Sequence, residues 1–346
     1  MGRITTNDIA NKLGLSRGTV SKALNGRDNI DEKTRLTVQR TADEMGYKKA
    51  NAAREGASPA ALKTLSIMLR TNMYSDPYWS AFIKSFEDEA ARNDFSYTVN
   101  VISAEDEAAQ LLPRNFQIAP PAGIVTAGPI SDAYYGLVQG SGIPAVYVDT
   151  TANRSDADVF GDTLFSCNRE YVSTMTAHLI AQGHRKLGFI GGYVNCRSFD
   201  ERRLGFMEAM AAADLPIPER FVYGARDGEV FESIRPWIAS LEEYPTAFVC
   251  VNDIRAILAK TSLREEGLDV PSDIALCGYD NAPYLSALFP DLTSVDSRVE
   301  YMGKRAMQAL AWRLQNPGAP YEVIKITSQI YYRDSTEKYR FGESSR

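Results

Sequence analysis

Apolar residues recur at helical spacing in two short runs near the start of the chain. Ile9, Ala10 and Leu13 share one face of a run over residues 7–13, and Val20, Ala23 and Leu24 share one face of a run over 17–24. The two predicted helices can therefore pack on each other. Gly14 and Leu15 form the junction, and Ser16 stands where it accepts a backbone N–H at the start of the second run. A third amphipathic helix opens at Asp31, an N-cap, carries Val38, Ala42 and Met45 inward, and stops at Gly46. This is the order of a helix-turn-helix with a helical lid.

The chain changes character after residue 46. Residues 47–63 are small, basic and broken by Gly56 and Pro59, which predicts a hinge with a short helix over 49–55 that is marginal in isolation. From Thr64 apolar runs alternate with helical patterns. Strands are predicted over 65–69, 97–102, 123–127 and 145–148, with helices over 78–93, 105–115 and 132–139 between them. The pattern then restarts with helices over 168–182, 200–213, 230–241 and 254–266 and strands over 187–190, 247–251 and 274–278. A helix over 300–314 and extended structure over 321–332 follow. The expected fold is an all-α headpiece followed by an α/β body of two doubly wound parallel-sheet subdomains. In such sheets ligands bind beyond the carboxyl ends of strands, where Asp76, Asp149, Asn252 and Asp280 fall.

Charge sharpens the division. Residues 1–63 hold 12 Lys/Arg against 7 Asp/Glu, whereas the whole chain of 346 residues is net −6. Only the first block is basic, as expected if it alone meets phosphate. On the second helix Arg17, Gly18, Ser21, Lys22 and Asn25 follow the spacing that turns donors toward a DNA major groove. The plainer reading, a helical hairpin with a solvated charged face, is weakened by the third helix and the charge asymmetry. No apolar run of about 18 residues occurs and no leader pattern opens the chain, so a protein that neither spans a membrane nor is exported is expected, in the cytoplasm. Cys167, Cys196, Cys250 and Cys277 are scattered without a C-x-x-C pair, so no disulfide framework, metal or cofactor is expected. With two histidines and no G-x-S-x-G, Walker A or H-E-x-x-H motif, the chain reads as a binding protein rather than an enzyme.

The segment D-I-A-N-K-L-G-L-S-R-G-T-V-S-K-A-L-N, the later T-R-L-T-V-Q-R-T-A-D-E-M-G-Y, and the body motifs D-P-Y-W at 76–79, G-I-P-A-V-Y-V-D at 142–149, G-H-R-K-L-G-F-I at 183–190, G-Y-D-N at 278–281 and R-D-S-T at 333–336 resemble the LacI/GalR type of bacterial transcription regulators. The similarity runs through nearly the whole chain. It implies a headpiece over 1–48, a hinge over 49–63, an effector-binding and dimerisation domain like type I periplasmic binding proteins over 64–336, and a tail over 337–346. It further implies a homodimeric repressor on a pseudo-palindromic double-stranded operator, under allosteric control by a small molecule in the cleft. Arg17, Gly18 and Lys22 match base-reading positions, Ser16, Thr19, Ser21, Asn25 and Arg35 are better placed as phosphate contacts that set register, and Thr5 is a further DNA-binding candidate. Where such regulators carry a wedge leucine this chain has Gly56, so weaker DNA bending is expected, with Lys49 and Arg54 supplying phosphate charge. In the cleft the matching positions are Asp76, Tyr78, Trp79, Asp149, Asn168, Arg202, Asn252 and Asp280. Aromatic faces with carboxylate, amide and guanidinium groups favour a neutral sugar or polyol, since Arg202 alone is few cations for a phosphorylated one. A protein partner or a nucleoside-like ligand stands as the alternative.

Overall fold

The computed structural model describes residues 5–24, 31–45, 63–74, 76–158, 160–191, 195–224, 234–282, 285 and 288–337. The expected hinge helix, with Lys49, Arg54 and Gly56, lies outside them, as do Asn25 and residues 338–346. The chain divides into two compact units, Met1–Leu62 and Lys63–Arg346.

The first unit contains α1 (Thr6–Leu13), α2 (Arg17–Leu24) and α3 (Glu32–Glu44). Each start is fixed by a short polar side chain. Thr5 Oγ1 accepts from the Asp8 N–H at 3.4 Å while the Thr5 N–H donates to Asp8 Oδ2 at 2.7 Å, a reciprocal capping box. Ser16 Oγ accepts from the Thr19 N–H, and Asp31 Oδ1 from the Thr34 N–H. Gly14 ends α1 at φ 65°, a left-handed conformation that frees the chain to turn. Ile9, Ala10, Val20, Ala23, Val38 and Ala42 close the core.

The second unit holds two sheets. The strands are β1 (Lys63–Arg70), β2 (Phe95–Ile102), β3 (Gly123–Ala127), β4 (Ala145–Val148), β5 (Asp162–Ser166), β6 (Leu187–Ile190), β7 (Val222–Tyr223), β8 (Ala247–Cys250), β9 (Ala275–Asp280), β10 (Thr293–Asp296), β11 (Val323–Ile326) and β12 (Gln329–Tyr331). The first sheet runs β11-β5-β4-β3-β1-β2, all parallel; the second runs β12-β10-β9-β8-β6-β7, parallel except for antiparallel β12. Both faces of each sheet are covered, the first by clusters around Phe82 and Phe86 on one side and Tyr134 and Tyr147 on the other. Chain order reverses between β1 and β3 and between β6 and β8, the switch points where such sheets open a ligand crevice.

The chain passes between the lobes after β5, after β10 and after β11. These passages touch one another: Ser166 Oγ donates to the Ser297 carbonyl at 3.1 Å, and the Tyr279 hydroxyl reaches the Cys167 carbonyl and Ser328 Oγ. The helix Val299–Gln315 returns to the first lobe and lies so close to the helix Pro77–Arg92 that a Cβ at Gly303 would collide with the Phe82 carbonyl. Arg313 on that helix clamps Asp162 of β5 with Nε–Oδ2 2.8 Å and Nη2–Oδ1 2.6 Å, both side chains buried.

Several expectations are corrected. The helix over 105–115 is two pieces, Ala104–Ala108 and Asn115–Ile118, because Gln110 takes φ 52° and Pro113 follows. Of the helix over 230–241 the described part is Ile234–Ala239. The extended segment over 321–332 splits into β11 and β12, one in each sheet.

Candidate DNA-reading helix and effector cleft

On α2, Arg17 and Lys22 are exposed, as are Ser16 and Gly18, while Val20 and Ala23 face the core. A cationic ridge therefore stands over an apolar underside. Thr19 is partly buried with Oγ1 2.9 Å from Ser16 Oγ, and Arg35 on α3 is partly buried. Thr5 and Ser16, both exposed, already cap the starts of α1 and α2. Ser21 lies in α2.

Within the second unit a cavity of about 670 Å³ opens between the lobes. Asp76, Tyr78, Trp79 and Asp149 line it from the first lobe; Arg202, Asn252 and Asp280 line it from the second. Asp76 doubles as N-cap of Pro77–Arg92, with Oδ1 accepting from the Tyr78 N–H at 2.9 Å, and burial raises its pKa. Tyr78 and Trp79 meet edge to face at 5.0 Å and continue into the first-lobe core. Asp76 is thus both helix cap and cavity wall, and Tyr78 and Trp79 are both core and cavity wall.

Asp149 sits at φ 66° and reaches across the cleft. Its Oδ1 accepts from the Thr150 N–H at 2.7 Å and the Ser198 N–H at 3.2 Å, and the Cys196 thiol donates to Oδ2 at 3.0 Å. The helix Arg197–Ala212 has no side-chain cap from its own N-cap residue, Cys196, so a carboxylate of the opposite lobe serves its first turn. The Arg197 N–H donating to the Thr150 carbonyl at 2.8 Å and Arg197 Nη2 donating to Asp156 at 2.6 Å extend this clasp.

Asn168 is fully buried behind the wall rather than in it. Its Oδ1 accepts from Arg202 Nε at 2.9 Å, which makes it a positioning residue. Arg202 also donates from Nη1 to the Val251 carbonyl, lies 3.6 Å over the Tyr279 ring, and has Nη2 3.6 Å from Asp280 Oδ1. Burial outweighs that cation and pushes the Asp280 carboxyl up to about 8. Beneath it Asp253 accepts from Ser294 Oγ at 2.6 Å and the Ala282 N–H at 3.1 Å, and burial pushes it up to about 6. A Cβ at Gly278 would strike that carboxylate. Asn252 caps Asp253–Glu265 by accepting from the Arg255 N–H.

The cavity also holds residues the motif reading missed: Asn72, Cys196, Ser198, Phe199 and Arg255. Arg255 had a signal, since it lies in the first turn after a polar residue that follows a buried strand. The histidines lie elsewhere: His184 Nδ1 is 2.9 Å from Thr246 Oγ1 in the core, and His178 stacks on Tyr332. Among the described residues no helix is long and apolar enough to cross a membrane.

A three-helix head with one basic exposed face, followed in sequence by a two-lobed body with a cleft, is the layout of a DNA-binding regulator. Residues 5–49 match the model for bacterial regulatory proteins of the lacI family, and residues 176–336 match a periplasmic binding protein-like domain. The HTH-type transcriptional repressor PurR of Mannheimia succiniciproducens is 26% identical over 337 residues, covering 96% of this chain and 99% of that one. The protein of the same name from Haemophilus influenzae is 28% identical over 339 residues, covering 96% and 98%. Among solved structures, the transcriptional regulator CelR in complex with cellobiose superposes with a TM-score of 0.69 at 21% identity over 96% of this chain and all of that one. The lac repressor dimer bound to operator and the anti-inducer ONPF gives 0.67 at 20% identity, covering 97% and 99%. Residues 5–49 thus carry a DNA-binding domain of the lacI type, and the chain is similar along nearly its whole length to HTH-type transcriptional repressors. The relatives named are transcription regulators, not enzymes.

Proposed function

We propose that this repressor reads its operator as a homodimer through α2 and changes operator affinity when a small polyhydroxylated, sugar-like molecule occupies the interlobe cleft. The cavity carries the reading: aromatic rings Tyr78 and Trp79 offer an apolar face to sugar C–H groups, and Asp76, Asn252, Asp280 and Arg202 offer acceptors and donors to adjacent hydroxyls. Its size of about 670 Å³ fits a mono- or disaccharide-sized ligand. In the headpiece Arg17 and Lys22 contact base edges, Gly18 relaxes readout at its base, and Thr5, Ser16, Thr19, Ser21, Asn25 and Arg35 set register on phosphates, with Lys49 and Arg54 adding charge. Asp149 acts by joining the lobes, and Asn168 by holding Arg202.

A nucleoside-like effector is the second reading, favoured by Phe199 on the second lobe facing the same cavity as Tyr78 and Trp79, since a planar base can stack between lobes. A thermal-shift panel of sugars, polyols, nucleobases and nucleosides, followed by mobility-shift assays of the hits on promoter DNA, tests both. A hit among sugars that alters operator affinity supports the first; hits confined to nucleosides replace it with the second.

A further inference from the structure

We propose that the effector has a deoxygenated edge, a methyl or methylene group where a fully hydroxylated sugar would carry a hydroxyl, and that the first lobe receives this edge against Met73 and Met302. This rests on the sugar-like reading above and narrows it. The two walls of the cleft are unequal in what they offer. From the second lobe Ser198, Arg202, Asn252 and Asp280 bring polar side chains to the cavity. From the first lobe Met73, Tyr78, Trp79, Val148, Leu164 and Met302 bring mainly carbon and sulfur, all of them continuous with that lobe's core. The polar groups on this apolar side are largely engaged. Asp149 accepts from the Thr150 and Ser198 amides and the Cys196 thiol, Ser166 Oγ donates to the Ser297 carbonyl, and the Tyr78 hydroxyl donates to Met302 Sδ at 4.0 Å. Asn72 is exposed to solvent, and Asp76 has Oδ1 taken by the Tyr78 N–H, which leaves Oδ2 for one hydroxyl.

A hydroxyl lodged against the two methionines leaves water and finds no partner, whereas a methyl or methylene there leaves water at a gain. Thioethers suit that task, being unbranched, polarisable and able to follow an irregular apolar outline beside an aromatic ring. The fold builds the spot deliberately. Gly128 sits at φ 86°, and a Cβ on it would strike the Met73 thioether and crowd the Trp79 ring, so the missing side chain is what lets sulfur and indole meet at the wall. Met302 comes to the same wall from the helix Val299–Gln315, fixed where that helix packs on Phe82. A molecule with hydroxyls along one edge and bare carbon along the other satisfies both lobes, and a molecule hydroxylated all round satisfies only the second.

The test is calorimetric titration of the full chain with matched sugars that differ by one hydroxyl: galactose beside fucose, glucose beside quinovose, and ribose beside deoxyribose, with adenosine and inosine as the nucleoside arm. In at least one pair the deoxy compound is expected to bind about tenfold or more tightly than its parent. Met73→Gln, which keeps the length of the side chain and supplies an amide to a ligand hydroxyl, is expected to erase that preference, and Met73→Leu to keep it. Met73→Thr replaces the glutamine variant if thermal unfolding shows the latter to be poorly folded. Parent sugars that bind as tightly as their deoxy partners in every pair, or a polar Met73 variant that keeps the preference, overturn the inference and leave the sugar-like reading standing. Binding by the nucleosides alone, or by none of these compounds, overturns both.

Discussion

The headpiece and the two-lobed body differ in how far apart in sequence their polar partners lie. In the headpiece the structural polar contacts are local: Thr5 with Asp8, Ser16 with Thr19 and Asp31 with Thr34 are each three residues apart and exposed. The body has local caps too, at Asp76 and Asn252, but adds distant, buried pairs: Arg313 with Asp162, Asp253 with Ser294, Asp149 with Ser198 and Arg202 with Asn168. Local caps leave a small core and an open polar face free to meet another molecule. Buried long-range pairs make the body's lobes specific to one arrangement, at the cost that each pair fails when one member is lost.

The contrast is testable by removing one contact of each kind. Arg313→Met leaves Asp162 buried without its cation, and the body is expected to lose about 3–5 kcal/mol in denaturant unfolding. A loss near zero would mean the clamp is not a stabilising element. Arg17→Ala is expected to cost about 1–3 kcal/mol on operator and to relax choice at one or two base pairs, whereas Arg35→Ala weakens all sequences alike; competition assays on operator and random DNA separate the two. Equal loss on both DNAs for the Arg17 variant would remove it from base readout. Ser16→Ala should cost the headpiece about 1 kcal/mol in thermal unfolding, the ordinary value of an N-cap.

The pH response should differ between the regions too. Asp280 holds its proton far more tightly in the folded body than its ordinary value of 3.8, up to about 8, so the folded state binds more protons across that interval. Its contribution is complete below about pH 4 and is lost as pH rises through 8. Unfolding midpoints measured from pH 4 to 9 should therefore show a flatter decline in Asp280→Asn than in the parent; identical slopes would assign the decline to other groups. In the headpiece, Asp8 and Asp31 are shifted the other way by their cap hydrogen bonds, so that contribution is present above the ordinary carboxylate range and is lost as pH falls below it.

The same local-versus-distant distinction explains what could be read from sequence. The three headpiece helices follow from apolar residues three and four apart and from caps beside them. Strands β1, β3, β4, β6, β8 and β9 were legible as apolar runs. Strands β5, β7 and β10 were not, for the first and last carry polar residues that are buried: Asp162 finds its partner 151 positions away, and Thr293 bonds Thr336 and the Arg333 carbonyl. Cleft residues directly after strands were visible, as Asp76, Asp149, Asn252 and Asp280 show. Asn168 was picked out, yet its place behind Arg202 depends on a partner 34 positions on. Phe199 and Cys196 reach the cavity because one lobe leans on the other, and no sequence period records that.

The carboxylate that Asp149 lends to the far helix has a kinetic meaning. Parting the lobes takes both the Asp149 carboxylate and the Thr150 carbonyl from the first turn of that helix, so several hydrogen bonds must break together. The barrier to separating the two lobes is then set by bonds that fail as a group rather than one after another.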